Sequence, residues 1–422
     1  MLSEKSIRNS PVQIHHVLYF VFLVIILPKT GFYFDMIDIG GWSEYMMRHG
    51  LADVYGSKTN YVPLSLYFLY VFGLFFQNPA DIVPNFYLFK ILPMLCDIIA
   101  ILAITYSVKQ YYSKRYIEYV GLLNLAILYN SFFWGQQDGI RTVLIVISLI
   151  CLLKNKPIWG IVLLFLSINA KLHSIVMIPI AGILFLYYWV KDWRLILKVI
   201  PILVVLQVII LWPFIVTNQL KIVWAVVTDS VGFFPSVSWS GYNLWYLLTK
   251  SNPNEINDTT IFIKYSYRSW GFILFFLSSG LALTPLLITT WLYIKQKLEL
   301  DKIYYELVFL TSGLVTILFF FVNTQMHERY PHPALVLFFG YGLLTKKYWL
   351  YALTSVAYFI NLEMVFGWFK ANVCSFDMKP EIVSLMYLLV VLICFWDLGK
   401  LLMTNLSERY TKTKSTQPTT NL

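Results

Sequence analysis

About a dozen stretches of roughly 20 mostly apolar residues follow one another along the chain, and this repetition limits the fold more tightly than any motif the chain carries. A segment placed in hydrocarbon must satisfy all of its own backbone N–H and C=O groups, which makes the α-helix the natural spanning element. Only 13% of the 422 residues are charged and 59% are hydrophobic, against about a quarter charged in an ordinary soluble domain. The expected fold class is all-α, a polytopic membrane protein of about 12 transmembrane helices (roughly 11–13).

Short basic groups separate the apolar runs and set an orientation, because Lys and Arg concentrate in cytoplasmic loops. The inner set is Lys5/Arg8, Lys109/Lys114/Arg115, Lys154/Lys156, Lys191/Arg194/Lys198, Lys295/Lys297/Lys302, Lys346/Lys347 and the tail with Lys400, Arg409, Lys412 and Lys414. These groups explain the net charge of +10 without a nucleic-acid partner. Residues 28–86, 134–139, 170–174, 216–262, 323–332 and 367–381 are then external, and both termini are internal. Segment 63–76 is apolar but short, and 77–85 after it carries no positive charge, so it reads as a short or re-entrant element. If it spans instead, everything downstream inverts or a further crossing is needed.

The first apolar run, 14–27, follows Lys5 and Arg8 like the core of a secretory signal. Pro28, Lys29 and Thr30 then lead into bulky aromatics rather than a small-residue cleavage site, so an uncleaved anchor is expected. Cys96, Cys151 and Cys394 fall inside apolar runs and Cys374 stands alone in an outer loop, which implies neither a disulfide framework nor a cysteine metal site. The expected layout is one transmembrane domain over 1–405, with a first outer loop at 32–62 holding short helices and a second large outer loop at 216–262. A disordered cytoplasmic tail follows at 406–422.

Nearly every unusual polar cluster lands on the outer side. The first outer loop opens with Asp35 and Asp38, preceded by aromatics and followed by Gly40 and Gly41. A boundary carboxylate is often only a solvated cap, which fits Glu44 and Asp53; an aspartate in a partly dry pocket is also suited to accept a proton from a sugar hydroxyl. WGQQDG brings Gln136 and Asp138, NAKLHS brings Lys171 and His173, and NTQMHERYPH brings His327, Glu328, Arg329, Tyr330 and His332. Charges flanked this closely by apolar helices are costly unless paired or functional. Lys171 can equally snorkel to the interface. A His, an Arg and a Lys converging there would grip a phosphate. Loop 216–262 adds Trp239, Tyr242, Asn243, Trp245 and Tyr246, the composition either of a sugar contact or of an interfacial aromatic belt. There is no phosphate-cradling glycine loop and no HExxH, so a nucleotide-activated donor is not expected.

Read in order over 35–330, these patches resemble the GT-C superfamily of polyprenyl-phosphate-sugar glycosyltransferases. They are similar to the GPI mannosyltransferase II type and to the dolichyl-phosphate-glucose-dependent glucosyltransferases of asparagine-linked glycosylation. The resemblance rests on Asp35 with Trp42 seven positions later, Tyr61-Val62-Pro63-Leu64, Asp97 in LCDIIA, WGQQD at 134–138, Lys171 in NAKLH, YNLW at 242–245 and HERY at 327–330. The family favours Tyr-Pro-Pro where this chain has Tyr61-Val62-Pro63, and Lys-Gln where it has Lys171-Leu172, so substrate contacts there are expected to differ.

The resemblance implies a GT-C fold and a hexosyltransferase that inverts the sugar in a single displacement. Asp35, seconded by Asp38, would be the catalytic carboxylate, and Lys171, His327 and Arg329 would hold the polyprenyl phosphate. Trp42, Tyr61, Gln136, Asp138, His173, Asn243, Trp245, Glu328 and Tyr330 would contact substrate. A phosphate leaves without a general acid, unlike the alkoxide of glycoside hydrolysis, so no metal is required, although Asp35 and Asp38 could hold a divalent ion. The partners implied are a polyprenyl-phosphate-sugar donor of mannose or glucose type, a lipid-linked or cell-surface glycan acceptor, and membrane lipids. The expected location is the bacterial inner membrane, or the endoplasmic reticulum membrane in a eukaryote, with the site on the non-cytoplasmic face. Two alternatives are a lipid-linked-sugar flippase or transporter, which would carry charges in mid-helix and broken helices in two related halves, and an O-antigen or capsule polymerase, which would place arginines in a large outer loop.

Overall fold

The structure is a computed structural model that describes residues 12–112, 114–373 and 378–415, with side chains described as far as Ser407. Lys5, Arg8, Cys374 and the tail beyond Ser415 lie outside the described residues.

The chain is mostly helical, at 73% helix and 2% strand. Its principal helices are α1 (Ile14–Ile25), α2 (Tyr33–His49), α3 (Pro63–Gly73), α4 (Ile91–Ser107), α5 (Leu125–Trp134), α6 (Asp138–Leu153), α7 (Pro157–Ala170), α8 (Ile178–Trp189), α9 (Leu195–Val216), α10 (Leu220–Thr228), α11 (Tyr267–Lys295), α12 (Lys302–Val322), α13 (His332–Thr345), α14 (Trp349–Phe366) and α15 (Pro380–Ser415). The only sheet among the described residues is a two-stranded antiparallel hairpin, Ile261–Phe262 against Tyr265–Ser266, a small departure from the all-α expectation.

Among the described residues, seven helices are long and apolar enough to cross a membrane: Phe86–Ser107, Leu172–Trp189, α9, α11, α12, α14 and Pro380–Ser407. A 22-residue helix such as α9 is about 33 Å long at 1.5 Å per residue, matching a hydrocarbon core of about 30 Å. Five apolar helices among the described residues are shorter: α1, α3, α5, α7 and α13. With 11 residues, α3 reaches only about 16 Å, about half a hydrocarbon core, so the element at 63–76 is short. The final helix extends to Ser415, so the expected disordered tail does not begin at 406.

The burial pattern separates a hub from a perimeter. Nearly all of α12 is buried, as is α13 through Leu344, whereas fewer than a fifth of the α9 residues are. Along α9 the side chains of Leu197, Val204, Val208, Trp212 and Val216 are exposed, and α11 exposes Phe276, Leu281 and Trp291. Apolar surface on that scale is intolerable in water and ordinary in lipid. The same setting tolerates Pro201 and Pro213 within α9.

The segment expected to form the first outer loop packs as a helical subdomain. Ile39 and Met46 of α2, Leu66 and Leu69 of α3, and Phe86 and Phe89 form an apolar cluster with Phe214 of α9 and Val223 of α10. Loop 216–262 is stitched to the segment before α13, where Trp239 N–H and Gly241 N–H both donate to the Met326 carbonyl at 3.0 and 3.2 Å. At Gly241 a β-carbon would stand 2.6 Å from that carbonyl oxygen, so the close approach requires glycine.

Candidate active site

Asp35 lies in the first turn of α2, where a carboxylate complements the helix dipole. Its Oδ2 accepts hydrogen bonds from Trp134 Nε1 at 2.8 Å and from Gln136 Nε2. These donors arrive together where the second half of α5, Tyr129–Trp134, winds as a π-helix, a form frequent at functional sites. Gly135 follows at φ +95°, and the Asn130 carbonyl accepts from both Gly135 and Gln136 N–H. Phe32 packs on Trp134 with ring centroids 4.9 Å apart.

A buried lysine fastens this corner. Lys90 Nζ donates to the carbonyls of Pro28 at 3.1 Å, Thr30, and Phe133 at 2.9 Å. All three ammonium protons are thereby used to join the segment before Asp35 to the segment before Trp134.

Asp138 begins α6 and is fully buried. Its Oδ1 is 3.0 Å from Arg141 Nε and 2.8 Å from Lys171 Nζ, and its Oδ2 is 4.0 Å from Arg329 Nε. Arg329 also pairs with the buried Glu328 at 2.9 Å. Three cations thus face Asp138 and Glu328, and the Asp35 carboxylate also acts on Arg329, in a poorly solvated place. Burial lowers the Lys171 amine to about 8, against the opposing pull of Asp138. Burial, with Arg329 and Lys171 beside it, holds His327 well below the ordinary histidine value, so the ring is neutral at pH 7. Burial also raises the Glu328 carboxyl, which Arg329 partly counters. Tyr330 lies under the group, its ring 4.2 Å from that of His173, with Lys171 Nζ 5.7 Å and Arg141 Cζ 5.9 Å from its centroid.

These residues surround one cavity of about 760 Å³. Asp35, Asp38, Trp42 and Tyr61 line one side, with the Trp42 and Tyr61 rings edge to face at 4.8 Å. Lys171, His173, His327, Arg329 and Tyr330 line another. A third wall is apolar, formed by Ile222, Ala225 and Val226 of α10 with Phe233, Phe234 and Phe272. The arrangement can take an amphipathic ligand with an anionic group at the Lys171–Arg329 side and a hydroxyl near Asp35. His327 Nε2 and Arg329 Nε are buried without a hydrogen-bond partner among the described residues, which marks unused donor and acceptor capacity beside the cavity.

Nine of the fourteen residues expected from the sequence line this cavity: Asp35, Asp38, Trp42, Tyr61, Lys171, His173, His327, Arg329 and Tyr330. Gln136, Asp138 and Glu328 are buried behind the wall and act through Asp35, Lys171 and Arg329. Asn243 and Trp245 correct the expectation of substrate contact. Both are buried and hold loop 216–262, the Asn243 amide donating to the carbonyls of Phe320 and Asn323 and Trp245 Nε1 to Asn323. Asp97 meets His332 at 2.9 Å in the core, and Tyr358 hydroxyl is 3.3 Å from the other ring nitrogen. Arg141, Lys90 and the Arg268–Asp258 pair, bonded at 2.9 and 2.8 Å, were missed. Arg141 was discoverable from its three-residue spacing to Asp138, which puts both on one helix face. Lys90 was discoverable as a lone charge in an apolar run.

The chain matches no protein-family model and no curated protein.

Proposed function

We propose that the chain is an inverting glycosyltransferase of GT-C type with about 12 crossings, moving a hexose from a polyprenyl-phosphate carrier to a glycan or lipid-linked acceptor on the non-cytoplasmic face. The carrying observation is the single cavity in which the Asp35 carboxylate stands on one wall, the Lys171–Arg329 cations on another, and an apolar wall joins them. A lipid-linked sugar phosphate has these three parts.

In the proposed reaction the acceptor hydroxyl gives its proton to Asp35 as its oxygen bonds to the anomeric carbon. The bond from that carbon to the phosphate oxygen breaks, and the pair of electrons leaves with the phosphate. Trp134 and Gln136 hold Oδ2, so Oδ1 is the oxygen assigned to take the proton. Charge growing on the departing phosphate is compensated by Lys171 and Arg329, fixed in place by Asp138 and Glu328. His327 is neutral and serves as a hydrogen-bonding group.

The test is transfer by purified protein from a panel of polyprenyl-phospho-hexoses, with and without chelator. Asp35→Asn keeps the thermal transition and abolishes transfer, because an amide cannot accept the proton. Turnover by that variant at the wild-type rate refutes the assignment of the base. Movement of intact lipid-linked sugar across vesicles without transfer would establish the transporter alternative instead.

A further inference from the structure

At the far end of α1 from the cavity, three side chains that the proposed reaction does not use converge. His15 Nε2 is 3.0 Å from His16 Nε2 and 3.7 Å from Glu118 Oε1, and His16 Nε2 is 3.2 Å from the same oxygen. Among the described residues, no other three metal-ligating side chains come as close together. His16 and Glu118 are largely buried, and His15 is partly exposed.

Nitrogen and oxygen ligands about 2.0–2.1 Å from a tetrahedral ion stand about 3.3–3.4 Å from one another. The three separations here bracket that spacing, and a single point about 2 Å from all three atoms exists above their plane. Two imidazoles and one carboxylate are the ligand set of a divalent transition ion rather than of calcium or magnesium. We propose that His15, His16 and Glu118 form a zinc-type metal site that clips the start of α1 to the segment leading into α5, its fourth position open beside His15.

The seam is already built around this point. Tyr19 hydroxyl donates to the Leu122 carbonyl at 2.6 Å, and the Tyr119 ring lies against both histidines. Gln13 N–H donates to His16 Nδ1 at 3.1 Å, which places the neutral ring's proton on Nε2, directed at Glu118. Ion binding takes the Nε2 lone pair, moves that proton to Nδ1 and opens the Gln13 contact. The Gln13 backbone N–H therefore loses its acceptor on His16 when the ion binds.

Full-length protein carrying a tag without histidines, stripped with chelator in detergent, is titrated with zinc chloride. One zinc per chain is expected by elemental analysis, with a higher Tm, and Glu118→Gln, which keeps size and hydrogen bonding, weakens binding at least tenfold. Cobalt(II) gives the intense visible bands of a four-coordinate ion in the wild type and loses them in Glu118→Gln. His49→Ala, at an exposed histidine elsewhere, leaves both readings unchanged. Absence of zinc from the wild type, equal binding by Glu118→Gln, or a six-coordinate cobalt spectrum overturns the site.

Discussion

Lys171→Met separates the cation's chemical role from a structural one. The amine titrates at about 8 in the folded chain against about 10.4 in an unfolded one, and each unit is about 1.4 kcal/mol. Carrying the charge at pH 7 therefore costs the fold about 3 kcal/mol, even after the attraction of Asp138, and somewhat less because water still reaches 21% of the side chain. A folded-state pKa below the unfolded one means stability rises as pH climbs from about 8 to 10.4 and is lower below that window. Methionine removes the charge at similar length, while Arg141 and Arg329 remain to neutralise Asp138. The variant should be as stable as the wild type or more so at pH 7, with the difference closing by about pH 10. Transfer should fall by about 10- to 150-fold, the worth of one charge-assisted hydrogen bond of about 1.5–3 kcal/mol. Thermal unfolding in detergent at pH 7 and 10 reads the first quantity, and kcat/KM for the lipid-phosphate donor reads the second. In the wild type kcat/KM should decline above about pH 8 as the amine deprotonates, and Lys171→Arg should carry activity past that point. Loss of more than about 1 kcal/mol of stability at pH 7 in Lys171→Met, with no loss of donor affinity, would refute the reasoning.

Two further substitutions test the supports of the site. Gly241→Ala, whose added carbon meets the Met326 carbonyl oxygen at 2.6 Å, should push the HERY segment outward and lower kcat while costing about 1–3 kcal/mol, read from Tm and initial rates. Lys90→Met strands the three carbonyls of Pro28, Thr30 and Phe133, and should lower Tm and reduce kcat by loosening Asp35, whereas unchanged kcat would show that Trp134 and Gln136 position the carboxylate unaided.

The helical, membrane-crossing character was legible because apolar length is a strong signal for one residue after another. Crossing count was less so. Helices such as α7 and α13 are 14 residues long, below the length that composition alone certifies, and α3 was recognisable as short from its brief apolar run and its uncharged flank. Asp35, Lys171 and Arg329 stood out because a charge between apolar helices is costly, and the fold brings them to one cavity. Asn243 and Trp245 have the side chains of a sugar contact, but their burial depends on Asn323, about 80 positions away, which local pattern does not encode. Lys90 is visible as a lone charge in an apolar run, but its partners are not, since they lie 43 to 62 residues off.

The perimeter position of α9 has an implication for how the protein is handled. This helix is exposed along most of its length and leads directly into α10, whose Ile222, Ala225 and Val226 form part of the apolar wall of the cavity. Bilayer thickness and acyl-chain order act on α9 first, so the width of the cavity becomes a property shared between the polypeptide and its lipid. Rates measured in detergent micelles and in bilayers of different chain length would then differ through the shape of that wall.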